Sequence, residues 1–232
     1  MKGLFIVLGV GAAGFCFADV DFATSFDDPS FTHIADGWGP GAMSTSSTIF
    51  GTGGNPDSYM EIHTRWGNSA YEMYEAVTYD WTIDQSAGPW ISSVDLSVDY
   101  RRMAQGEHPF LFVVQNGFQY IAQTTGNNTT VNTWLTETGH FNAHSFAKII
   151  SGFGNYGITN GADNPIFGSG GGVTKFYIGY DSSSTINLNN GFENFDYDNV
   201  HIHVNTVPEP TTGLLVIPSL AMLLIRRKKP SI

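Results

Sequence analysis

Between Asp19 and Asn205 short runs of alternating apolar and polar residues recur between clusters of Gly, Asn, Ser and Pro, and no stretch spaces apolar residues three and four apart as an amphipathic helix requires. A period of two puts successive side chains on opposite faces of a pleated strand. Val94, Leu96, Val98 and Tyr100 alternate with Ser93, Asp95, Ser97 and Asp99, which predicts one buried and one wet face. Residues 110–114 form a continuous apolar run, as in a central strand. Residues 118–123, 131–135 and 176–180 read as further strands, and 197–205 as the last. In that last strand Asp198, Val200, Ile202 and Val204 are expected on one face, with Asn199, His201 and His203 on the other. Residues 51–56 and 168–172 are too rich in glycine for strand interiors. No period of fixed length repeats. The pattern predicts a single all-β domain, a sandwich or barrel.

Composition narrows the function. The chain has 232 residues, 14% of them aromatic and only 13% charged, the opposite of a disordered segment. Its formal charge of -11 argues against a nucleic-acid partner, which needs a basic stripe to neutralise phosphates. One cysteine excludes a disulfide framework and a thiolate metal site.

The two ends follow other rules. Lys2 precedes an apolar run, and small residues stand at Ala18 and two places before it. This is the pattern of a secretory signal peptide over residues 1–18, cleaved after Ala18. The run is too short to span a bilayer, and Phe15 before Cys16 is too bulky for a lipidation site. At the other end Pro208, Glu209 and Pro210 precede an apolar run from Gly213 to Ile225, followed at once by Arg226, Arg227, Lys228 and Lys229. Thirteen helical residues reach roughly 20 Å, short of a hydrocarbon layer of roughly 30 Å. Basic side chains that snorkel to the interface extend the reach, so one short transmembrane helix is expected. Its basic cluster would stay cytoplasmic and leave the central domain outside.

Residues 207–232 resemble the PEP-CTERM sorting signal, with tripeptide, short span and basic tail in order. The resemblance implies an exosortase partner, a membrane protease that removes the tail. It also implies an exported protein of a Gram-negative bacterium, anchored transiently in the membrane and then placed at the cell surface or in an extracellular polysaccharide matrix. Two prolines keep the recognised segment extended, as a protease cleft requires. Pro218 departs from an ideal span. The alternative is a plain anchor that is not cut.

The central domain, residues 19–206, resembles the jelly-roll β-sandwiches of the galactose-binding-like and laminin-type superfamily. The resemblance rests on residues 26–31 leading to Gly37 and Trp38, on 53–60 and on 196–200. That architecture hosts sugar binders, adhesins and inert spacers. By analogy with its sugar-binding members, a structural Ca²⁺ is expected where the first and last strands meet, with Asp28 and Asp198 as ligands. The acidic residues near both ends of the domain, Asp27, Asp28, Glu193, Asp196 and Asp198, supply suitable oxygens.

Other constellations are weaker. His201 and His203 project from one strand face and would chelate a transition metal, but no third ligand accompanies them in the sequence. His140 and His144 would share a helix face, which Gly139 and Asn142 disfavour. Nothing singles out a glycosidase pair among the 21 acids, and Glu72 with Glu75 reads equally as surface charge. A serine nucleophile elbow, a phosphate loop and a zinc motif are all missing from the sequence, so no enzyme is expected. Trp66, Trp81, Trp90 and Trp134 have flat faces suited to sugar rings, and Trp66, between polar neighbours, is the leading candidate.

The expected protein is therefore an exported, non-catalytic matrix protein associated with extracellular polysaccharide. A carbohydrate-binding module or adhesin is the alternative, and a polysaccharide-active enzyme the remoter one. Without its two end segments the domain carries five basic residues against 21 acidic, a formal -16 if Glu209 stays. Such a charge keeps it soluble.

Overall fold

The computed structural model describes residues 19–38, 44–65, 72–86, 88–103, 108–124, 130–150, 157–159, 163–183 and 192–207. The leader through Ala18, the candidate Trp66, and the tail with Pro208, Glu209, Pro210 and Arg226, Arg227, Lys228 and Lys229 lie outside these residues. Fourteen strands are described: β1 (Val20–Thr24), β2 (Thr32–Trp38), β3 (Ser44–Phe50), β4 (Tyr59–Arg65), β5 (Glu72–Thr78), β6 (Thr82–Asp84) and β7 (Trp90–Arg102). There follow β8 (Pro109–Gln115), β9 (Phe118–Gln123), β10 (Leu135–Phe141), β11 (Ala147–Ile150), β12 (Gly157–Thr159), β13 (Val173–Ser183) and β14 (Phe192–Val207). One short 3-10 turn, Ala143–Ser145, precedes β11.

All pairings are antiparallel and form two sheets. A six-stranded sheet runs β10-β7-β14-β4-β3, with β1 also on β14. An eight-stranded sheet runs β12-β11-β9-β8-β13-β5-β2, with β6 also on β13. The chain crosses between sheets repeatedly, and the architecture is a β-sandwich, one of the two all-β forms that the alternation predicted, jelly-roll-like as the resemblance implied. Its core is the inward residues of both sheets: Met60, Ile62, Val94, Leu96 and Val98 from one, Val77, Leu111, Val113, Phe176 and Ile178 from the other, all 2% exposed or less.

An aromatic column crosses this core. Phe195 lies between Tyr180 and Tyr100, near-parallel to both, with ring centroids 5.2 and 5.5 Å apart. Each tyrosine hydroxyl leads to a buried glutamate. Tyr100 donates to Glu137 Oε1 at 3.0 Å. Tyr180 bonds the Thr64 hydroxyl, which reaches Glu75 Oε2 at 3.5 Å. Glu75, on the eight-stranded sheet, also accepts from Ser47 of the other sheet at 3.1 Å and lies 2.5 Å from His33 Nε2. Glu137, on the six-stranded sheet, is met by His108 Nδ1 at 3.0 Å and by the Thr124 hydroxyl. The two glutamates thus tie the sheets together near their opposite edges. Burial pushes the Glu75 carboxyl up, against the pull of His33, and Glu75 holds the His33 imidazole above its ordinary value.

Three sequence expectations are corrected. Glu75 is fully buried, not surface charge. Residues 131–134 are not strand: Asn132 adopts φ 57° and its N–H donates to Arg102 O at 2.9 Å, so β10 starts at Leu135. Asp198 does not share a face with Val200. The ladder between β14 and β7 slips between Asp198 and His201, and Asn199 sits at φ 45°. This β-bulge inverts the alternation. Phe195 and Tyr197 before it, and Val200, Ile202 and Val204 after it, all face the core.

Phe195→Ala removes both ring stacks and opens a cavity. The unfolding free energy should fall by about 3–5 kcal/mol in urea titration; a loss below about 1 kcal/mol would show that the column carries little of the stability.

Candidate functional site

The outer face of the six-stranded sheet carries the chemistry. Pairing places Glu61 opposite Asp196 and Asp196 opposite Arg101, so three charged residues from β4, β14 and β7 form one row. Arg101 Nε donates to Asp196 Oδ2 at 2.7 Å. Its guanidinium carbon lies 5.1 Å from the Tyr59 ring centre and 5.0 Å from that of Trp134, within cation–π range. Tyr59 meets Trp134 edge-on at 5.7 Å and stacks on Phe50 at 5.0 Å. The result is an aromatic ledge, Phe50–Tyr59–Trp134, with a guanidinium–carboxylate pair beside it. Phe50 is 38% exposed and Trp134 half-buried, so the ledge opens to solvent.

Trp134 is held by its own ring, whose Nε1–H donates to Gly53 O at 3.1 Å. The loop that presents Gly53 folds back over the strands. Asn55 N–H donates to Asp198 Oδ2 at 2.5 Å, and the Asn55 and Asn199 side-chain amides reach Asp99 Oδ2 at 3.3 and 2.9 Å. Thr136 donates to Asp99 Oδ1 at 2.5 Å. Gly54 must be glycine. A Cβ there would stand 2.4 Å from Ser58 O and 2.6 Å from Asp198 Oδ2.

Asp196 is the buried acid of the site. It is 2% exposed, and among the described residues its Oδ1 has no hydrogen-bond partner. Burial pushes its carboxyl up to about 6, with Glu61 adding to the rise and Arg101 opposing it. A buried acceptor oxygen without a partner costs stability. Glu61 is itself engaged by Asn194 Nδ2 at 3.1 Å, and Asn194 Oδ1 lies 2.5 Å from His63 Nδ1.

The other sequence candidates fall elsewhere. Trp81 is 5% exposed and belongs to the core, and Trp90 is half-buried at the start of β7. Asp28 accepts from Ser30 N–H through its carboxylate, and its carbonyl accepts from Tyr79. Asp27 and Asp99, rather than Asp28, are the charged neighbours that Asp198 feels, and burial with these charges raises the Asp198 carboxyl. Loop N–H groups and asparagine amides occupy Asp198 and Asp99. Among the described residues no group of three or more His, Cys, Asp or Glu could hold a metal ion. His201 and His203 do share the outer face, with ring centroids 6.4 Å apart. His140 lies in β10 and His144 in the 3-10 turn. Arg101, Tyr59 and Phe50 were not singled out from sequence. An Arg and an Asp 95 residues apart carry no local signal, and only the strand register joins them.

No protein-family model matches the chain, and no curated protein matches it in sequence. Among solved structures it is similar to a family 11 carbohydrate-binding module from Clostridium thermocellum in complex with a β-1,3-1,4-mixed-linked tetrasaccharide. The identity is 14% and the TM-score 0.41, over 81% of this chain and 96% of that one. It is also similar to the CBM22-1–GH10 modules of a Clostridium thermocellum xylanase complexed with xylohexaose, at 14% identity and TM-score 0.39, over 76% of this chain and 26% of that one. An exo-β-agarase gives 11% identity and TM-score 0.41, over 80% of this chain and 25% of that one. The chain thus spans about a quarter of the length of the last two.

The raised Asp196 carboxyl predicts a pH dependence. A buried acid whose folded value lies above its unfolded one contributes stability at low pH that is lost as pH rises through about 6. Unfolding free energies from urea titration should fall between pH 5 and pH 7.5 by on the order of 1 kcal/mol, because part of the roughly two-unit shift is already lost at pH 5. Asp196→Asn should flatten that profile; an unchanged profile in the variant would place the titration elsewhere.

Proposed function

We propose that the domain is a non-catalytic polysaccharide-binding β-sandwich that takes sugar on the outer face of its six-stranded sheet. The observation that carries this reading is the ledge of Phe50, Tyr59 and Trp134 beside Arg101 and Asp196. Apolar C–H faces of a pyranose ring pack on aromatic rings, while hydroxyls need paired donors and acceptors. Arg101 supplies donors beside the ledge, and the buried Asp196 carboxylate holds its guanidinium in place. Of the tryptophans named from sequence, Trp134 belongs to this site, while Trp66 lies outside the described residues.

The formal charge of -16 on the mature domain disfavours direct attraction to acidic chains. Neutral polysaccharide is the expected ligand class. On a glycan array, residues 19–206 should bind neutral glycans, and Trp134→Ala should weaken the best of them about tenfold, on the order of 1.4 kcal/mol. Binding that survives Trp134→Ala and Arg101→Ala unchanged would move the site elsewhere. Release of reducing ends from any bound glycan would overturn the non-catalytic reading.

The end segments support a place for this activity. A leader removed after Ala18, and a tail with the tripeptide Pro208-Glu209-Pro210, a short apolar run and a basic cluster, fit export followed by exosortase processing. The domain would then reside at the surface or in the polysaccharide matrix of a Gram-negative bacterium. The intact mass of the released protein, in cells with and without the protease, checks this. Loss of Arg226 and all that follows is expected only where the protease is present, and a released protein that retains them contradicts processing.

A further inference from the structure

A second row of side chains crosses the same outer face beyond the bulge. Register places Asp21 of β1 opposite His203 of β14, His203 opposite Asp95 of β7, and Asp95 opposite His140 of β10. Acid and imidazole therefore alternate across four adjacent strands. The contacts are close: His203 Nδ1 lies 2.7 Å from Asp21 Oδ1, His201 Nε2 3.0 Å from the same oxygen, and His140 Nδ1 2.5 Å from Asp95 Oδ1. Asp19 Oδ2 stands 3.8 Å from His203 Nε2, and Asn205 Nδ2 donates to Asp95 Oδ2 at 2.7 Å.

β1 depends on this row more than its neighbours do. Among the described residues it pairs with β14 alone, over five register positions, whereas β14 is paired along both edges and β7 lies between β14 and β10. On its inner side Phe22 packs on Trp81 and Phe176, with centroids 6.4 and 6.0 Å apart. Just past β1, Phe26 is fully buried at φ 58°, against Tyr79, and anchors the following chain. An open depression of about 430 Å³, lined by Ala23, Thr24, Ser25, Asn199, Val200 and His201, runs along the seam between β1 and β14. The strand is thus a short flap with a fixed end at Phe26, held on its outer side by histidine–aspartate pairs.

We propose that the pairs of Asp19 and Asp21 with His201 and His203 form a pH-operated latch that docks β1 on the sandwich in mildly acidic medium and loosens it in alkaline medium. The pairs are ionic only while the imidazoles are protonated. The groups facing them are Asp19 and Asp21 on β1 and its approach, Asp95 on β7, and His140, which is itself engaged by Asp95. Hydrogen bonding to Asp21, aided by the charges of Asp21, Asp19 and Asp95, raises the His203 imidazole above its ordinary value, and hydrogen bonding to His203 lowers Asp21. A raised histidine stabilises the docked strand below the ordinary imidazole range and loses that contribution as pH rises through the raised value. A lowered aspartate loses its contribution only as pH falls through the lowered value. The latch is therefore tight between the two and slackens on the alkaline side.

The test is amide hydrogen exchange of the full chain at pH 5.5 and pH 8.5, corrected for the intrinsic rates. Opening of residues 20–24 should be about five- to tenfold more frequent at pH 8.5, as expected from a few partly exposed ion pairs. In the double variant His201→Gln, His203→Gln, and separately in Asp21→Asn, that ratio should fall to about one. Equal opening at both pH values in the wild type, or a pH ratio that persists in these variants, overturns the proposal. So does opening of residues 20–24 that changes with pH no more than that of residues 94–98 of β7, which would signal global rather than local opening.

Discussion

β14 is paired along both edges, and the slip beside Asn199 is the constraint on which the rest depends. A strand of sixteen residues with strict alternation would turn one half of its apolar residues outward. The left-handed Asn199 absorbs the extra residue, so Phe195 and Tyr197 on one side and Val200, Ile202 and Val204 on the other all reach the core. The same slip leaves two polar rows on the outer face. One contains Glu61, Asp196 and Arg101; the other contains Asp21, His203, Asp95 and His140. Core and candidate site are two consequences of one irregularity.

The interior is equally specific about polarity. Glu75 and Glu137 are buried between the sheets, yet each meets a histidine and hydroxyl donors, as a buried carboxylate requires. The stacked rings of Tyr180, Phe195 and Tyr100 run between them. This arrangement holds the two sheets in one relation and so fixes where the strands of the outer face sit.

Much of this was legible in the alternation of Val94 through Tyr100 and in the continuous run at 110–114, because burial of one face leaves a period that sequence preserves. The exceptions have local causes. At Asn132 and Asn199 a left-handed backbone interrupted a pattern that side-chain polarity alone suggested would continue. Glu75 looked like surface charge because its partners, Ser47 and Thr64, lie on another sheet. For the site, sequence identified aromatic residues suited to sugar and ranked Trp66 first by its polar neighbours, a local signal that carries nothing about which rings the strands enclose. Trp81 enters the core while Trp134 remains at the surface, and the difference is set by which strands enclose each ring. The pairing of Arg101 with Asp196 is a matter of register alone.

An aromatic ledge and a guanidinium held by a buried carboxylate stand within one short stretch of an acidic, largely polar sheet face. This placement is the basis for reading the domain as a binder of neutral polysaccharide. The most direct measurement is a ¹H–¹⁵N titration of the domain with a soluble neutral oligosaccharide that it retains. The account predicts that the Trp134 indole N–H, the Arg101 Nε–H and amides of β4, β7 and β14 around Asp196 shift together on a single binding curve. Shifts confined to the eight-stranded sheet, or binding that leaves the Trp134 indole signal unmoved, would contradict it.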